Sequence, residues 1–158
     1  MMRCLQPTFA AFILAGFVLG QTATQTPPTQ KPAGEPDRVT VQHILVAFKG
    51  SIPEEKVTRT QAEAKALAEQ VFDRAKKGED FKALVEKHTY YSYPGIYKMA
   101  NFGVEAVQSP PSQREYSRAR MVKGFGDVSF GLKVGEIGMV VYDPAASKYG
   151  WHIIKRLE

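Results

Sequence analysis

The segment GWHIIKRLE, residues 150–158, is apolar enough to form an inner strand, yet a histidine stands in its middle. Trp151, Ile153 and Ile154 are aromatic and β-branched residues of the kind that fill a pleated, buried strand. His152 interrupts them. The same arrangement occurs in VQHILVAF, residues 41–48, where His43 stands among Val41, Ile44, Leu45 and Val46. Only three histidines occur in the 158 residues, so a repeated setting for two of them carries information. If the two strands are central and adjacent, the rings lie side by side on one face of a sheet. Neutral imidazole has one donor and one acceptor, so two such rings can hydrogen-bond and fix each other's tautomer. Read from spacing alone, they are a satisfied core pair that helps specify register.

Between these strands the pattern changes from period two to the helical period. Thr60-Gln61-Ala62-Glu63 fits a capping box, and Ala64, Leu67, Ala68, Val71 and Ala75 follow at spacings of three and four. Gly78 ends this helix. Asp80 can cap a second one, carrying Phe81, Leu84 and Val85, that runs to about His88. A short strand is expected around residues 98–102, flanked by long loops, and a short helix over residues 121–130, closed by Gly131. MVVYD, residues 139–143, reads as a strand ending in a turn at Asp143 and Pro144. The order strand, two helices, strand, short helix, two strands predicts a small α+β layer fold with a mostly antiparallel sheet.

The first 38 residues are of different material. Arg3 precedes the apolar run FAAFILAGFVLG, which is shorter than the ~20 residues a spanning helix needs. A positive start, a short apolar core and small residues after it make residues 1–20 an export signal, destined for the periplasm or cell envelope. Membrane contact is expected only if that segment is retained. Residues 21–38, QTATQTPPTQKPAGEPDR, offer no large apolar side chain and read as a flexible spacer. The folded domain is expected over residues 39–158, as a monomer.

Several chemistries are excluded by what the sequence lacks. Cys4 is the only cysteine, and it lies in the signal segment, so the folded domain has no thiol nucleophile or disulfide. There is no H-E-x-x-H and no glycine-rich phosphate loop, so neither a metal nor a cofactor is expected. The balance of 21 basic against 16 acidic side chains is modestly positive, with the signs interleaved as in EDFKALVEK, so no nucleic-acid surface is expected.

QHILV, then GEDFKALVEKHT, MVKGFGDVSFGLKVGEIGMVV and finally GWHIIKRLE resemble, in that order, a parvulin-type peptidyl-prolyl isomerase domain over residues 39–158. The resemblance implies a four-stranded antiparallel sheet with helices around it. It also implies rotation about X–Pro bonds of polypeptide substrates, without metal or cofactor. His43 and His152 match the paired histidines at the floor of that family's site. Met121 and Phe125 match the residues that hold the proline ring, and Phe102 the one that completes the pocket. Tyr142, or else Ser147 or Tyr149, falls where the family places hydroxyl residues before the final Gly-x-His.

The sequence departs from that pattern at two places. Tyr91, in Thr89-Tyr90-Tyr91-Ser92, stands where the family has an acidic residue or cysteine, and a phenol is neither a carboxylate nor a thiolate at neutral pH. This leaves open a second class of function, a non-catalytic peptide-binding or holdase module. The connection after Phe102 carries an insertion of about ten residues, within 104–120, which reads as a lid or as a solvated loop. Lys49, Lys56 and Arg59 are dispersed among Glu54 and Glu55, so no preference for phosphorylated substrates is expected.

Overall fold

The structure is a computed structural model that describes residues 30–53, 56–89 and 93–158. The expected export signal, the first part of the expected spacer and Tyr91 lie outside these residues.

Strand β1 (Arg38–Val46) is the middle of a five-stranded sheet. It pairs on one side with β2 (Ile96–Ala100) and on the other with β5 (Trp151–Arg156), both antiparallel. A middle strand must be apolar on both faces, and β1 is: Val39, Val41 and Leu45 face one way, Ile44 and Val46 the other, and all are buried. Strand β4 (Ile137–Val140) closes one edge against β5. Helices α1 (Gln61–Lys76) and α2 (Phe81–His88) cover the face of Ile44, Val46, Trp151 and Ile153. Helix α3 (Lys123–Gly131) covers the other face, packing Phe125 and Phe130 on Val39, Val41 and Ile154.

The starts of the first two helices follow from the capping residues. In α1, the Glu63 carboxylate accepts from the Thr60 amide at 2.7 Å, and Thr60 Oγ1 accepts from the Glu63 amide at 3.2 Å. Ala64, Ala68, Val71 and Ala75 are its buried stripe. In α2, Asp80 Oδ1 accepts from the Lys82 amide at 3.0 Å.

The sheet differs from the four-stranded expectation. Tyr116–Ser117 forms β3, a fifth strand, which pairs in parallel with β2 through Met99↔Tyr116 and Ala100↔Ser117 and makes the sheet mixed. It comes from the insertion, which returns along the open edge of β2. The segment is stapled there because Glu115 Oε2 accepts from the Val107 amide at 2.9 Å and Glu115 Oε1 from Arg38 Nε at 3.0 Å.

The last residues of the expected spacer are also held by the domain. Arg38 already belongs to β1. The Asn101 side-chain amide donates to Glu35 Oε2 at 3.0 Å and to the Pro36 carbonyl at 2.8 Å, and the Asn101 N–H donates to the Asp37 carbonyl at 2.9 Å. Composition marks this segment as unable to bury apolar surface. Here it is held by its polar groups instead.

Candidate active site

The β1–β5 register pairs His43 with Ile154 and Leu45 with His152. The two histidines are therefore diagonal neighbours on the face that α3 covers. Their ring centroids are 5.5 Å apart with the planes inclined by 33°. Both residues are buried, at 6% and 5% exposure. They do not hydrogen-bond to each other as the sequence allowed: His43 Nδ1 and both ring nitrogens of His152 have no partner among the described residues. Burial pushes His43 down to about 4, with the Gly95 backbone acting weakly the other way. Burial, and then the neighbouring His43, pushes His152 down to about 3. Both rings are neutral at pH 7.

The backbone under His43 is set by a close approach. Its N–H donates to the Gly95 carbonyl at 2.9 Å. Gly95 has φ of +68°, and a Cβ there would stand 2.7 Å from the His43 carbonyl oxygen.

Above the histidines stands an aromatic wall. Phe125 of α3 meets His43 edge-on at 5.0 Å and His152 at 5.5 Å. Tyr97 of β2 meets His43 edge-on at 5.0 Å and Phe125 at 5.7 Å. With Met121, these groups line a cavity of about 440 Å³. Leu45, Ile52, Pro53, Val122 and Tyr149 complete its lining. Apolar lining with a few polar groups is the usual composition of a binding pocket.

The structure brings four of the sequence-predicted site residues together: His43, His152, Met121 and Phe125. It places two others elsewhere. The Phe102 ring lies under the Arg118 guanidinium at 4.6 Å, with Phe130 at 4.8 Å from the same group. Tyr142 lies beyond the end of β4, among the helix-facing residues, edge-on to Phe48 at 4.9 Å and 5.6 Å from Trp151. Strand β4 stops at Val140, opposite His152, and past that point alternation no longer dictates which face a side chain takes. Ser147 is buried and donates to the Gly150 carbonyl at 3.0 Å, which leaves Tyr149 as the hydroxyl residue of this loop at the cavity.

Tyr97 is the wall residue that the sequence reading passed over. A signal for it exists in IYKMA, where Tyr97 and Met99 alternate with charged or exposed neighbours. The register Val41↔Tyr97 puts it on the face of His43.

The PPIC-type PPIASE domain family matches residues 29–158. The foldase protein PrsA of Geobacillus sp. (strain WCH70) is 30% identical over 129 residues, covering 80% of this chain and 40% of that protein. The peptidyl-prolyl cis-trans isomerase pin1 of Schizosaccharomyces pombe is 30% identical over 148 residues, covering 90% of this chain and 74% of that protein. The solution structure of TbPIN1 superposes with a TM-score of 0.54 at 23% identity, over 77% of this chain and 98% of the other, a likeness of fold. The chain thus spans about two fifths of the PrsA foldase and about three quarters of the yeast protein. With a match that runs through both histidine strands and the α3 cup, the chain belongs to the PPIC-type peptidyl-prolyl isomerase family.

Proposed function

We propose that this chain catalyses cis/trans rotation about X–Pro bonds of polypeptides, seating the proline ring between Met121, Phe125 and Tyr97 above His43 and His152. The observation that carries this reading is the cavity itself, an apolar cup whose floor is two buried, neutral imidazoles. The barrier to X–Pro rotation is ~18–20 kcal/mol, because amide resonance is lost in the twisted state. No covalent bond breaks, so the site needs no nucleophile. It needs to hold the twisted amide better than the planar one. The aromatic walls fix the ring while the amide turns. His43 and His152 supply neutral polar edges in a region of low dielectric, where small dipoles count for more than in water.

The substrates proposed are unfolded or partly folded chains, in which a proline and its neighbours are free to enter the cup. Action outside the cytoplasm is part of the proposal, supported by the Arg3 and apolar-run pattern of residues 1–20. Among the described residues, no helix is long and apolar enough to cross a membrane.

The test is exchange NMR on a panel of X–Pro peptides with the full chain and with Met121→Ala. Wild type should raise cis/trans exchange well above the uncatalysed rate. Met121→Ala should lower kcat/KM by at least about tenfold, since burying a methionine side chain is worth roughly 1.5–3 kcal/mol. Peptide binding without faster exchange would make the module a non-catalytic binder.

A further inference from the structure

Tyr116 is 43% exposed, yet the backbone that carries it is fixed on both sides. Before it, the Glu115 N–H donates to the Val107 carbonyl at 2.7 Å, and the Glu115 carboxylate holds the Val107 amide and Arg38. Arg38 Nη2 also donates to the Glu105 carbonyl at 3.0 Å. At Tyr116 itself, β3 pairs with Met99 of β2. Two residues later the buried Arg118 side chain is bound to Asn101 at 2.9 Å, to Asp127 at 2.9 Å and to Glu35. The insertion is therefore built around an aromatic ring that it leaves in solvent.

That ring is continuous with the cup. Its centroid lies 5.4 Å from Tyr97, at an inclination of 44°. Tyr97 is a wall of the cavity and meets both His43 and Phe125. The Arg114 guanidinium stands 5.9 Å from the centroid of the Tyr116 ring. Neighbouring residues of a peptide have Cα atoms ~3.8 Å apart, and aromatic pairs settle with centroids ~4.5–7 Å apart. A side chain one residue from a proline seated beside Tyr97 therefore falls within reach of Tyr116.

Resting on the isomerase reading above, we propose that Tyr116 and Tyr97 form a subsite for an aromatic side chain next to the proline of the substrate, and that the insertion exists to present it. Tyr116 sets substrate preference through its ring face; its hydroxyl takes no part.

The experiment compares four blocked peptides of one frame, containing Phe-Pro, Ala-Pro, Pro-Phe or Pro-Ala. Binding and exchange are both read by NMR on the full chain, on Tyr116→Ala and on Tyr116→Phe. Wild type should favour the phenylalanine peptide over its alanine partner on one side of the proline. Tyr116→Ala should reduce that ratio by about two- to tenfold, the span of a single aromatic pair, and Tyr116→Phe should retain it. An unchanged ratio in Tyr116→Ala, or an equal fall for all four peptides, would overturn the subsite. If no peptide shows faster exchange, the isomerase reading fails by itself, and the binding ratios still decide the subsite.

Discussion

A buried imidazole kept neutral makes stability depend on pH in a definite direction. In the unfolded chain, His43 and His152 take up protons near the ordinary value of about 6.5. In the folded protein they do so only at about 4 and about 3. Below pH 6.5 the unfolded state therefore binds more protons than the folded one. The stability they allow is fully present above about pH 6.5 and is lost as pH falls toward the folded values. At pH 5 each histidine should cost about 2 kcal/mol relative to pH 7. Urea midpoints at pH 7 and pH 5 measure the loss, and His152→Leu should remove about half of the difference. Equal midpoints for wild type at the two pH values would mean that the rings are not held neutral by burial. Between pH 6 and pH 8 neither ring changes charge, so the exchange rate should be flat there.

At the scale of elements, what was legible depended on whether local chemistry decides the outcome. The Thr60 capping box, the Asp80 cap and the alanine-rich stripe of α1 are local signals, and each stands where the sequence put it. Tyr142 and Phe102 were assigned through the family resemblance; each lies just past a strand end and outside the lining of the cavity. Strand β3 could not be read from its two residues; it exists because Glu115 and Arg38, 77 positions apart in sequence, clasp the insertion to the sheet edge. A contact of that separation leaves no trace in a window of a dozen residues. The start of β5 gives a sharper test of element placement. Gly150 has φ of +135°, and a Cβ there would lie 2.3 Å from the Val46 carbonyl oxygen. Gly150→Ala must push β5 away from β1 two residues before His152. Backbone strain of this kind costs about 1–3 kcal/mol, so the chemical-denaturation midpoint should fall accordingly. The exchange rate should fall further than the loss of folded protein explains, because the two histidines separate. A variant of wild-type stability and rate would show that the loop absorbs the methyl without moving β5.

Across the whole molecule, Arg118 joins parts that the sequence keeps far apart. Its side chain is only 5% exposed, and its guanidinium lies 4.6 Å from the Phe102 ring and 4.8 Å from the Phe130 ring. It binds Glu35 from the segment before β1, Asn101 after β2 and Asp127 of α3. Met121 follows it by three residues, so the wall of the cup hangs from this junction. A buried cation with several partners is costly to disturb from one side only. Arg118→Met should leave Glu35, Asn101 and Asp127 without their shared donor and cost about 3 kcal/mol, the low end for breaking a buried pair, because Asp127 stays partly solvated. Glu35→Gln keeps the shape but removes a charge, and Asp127 still faces the guanidinium, so it should cost about 1 kcal/mol. If Glu35 acts through Arg118, the two losses will not add: the double variant should recover roughly 1 kcal/mol against their sum in a double-mutant cycle. Additive losses would mean that the segment before β1 merely lies on the domain. Coupled losses would make that segment part of the fold, so a chain trimmed at residue 39 would lack one of the supports of its own site.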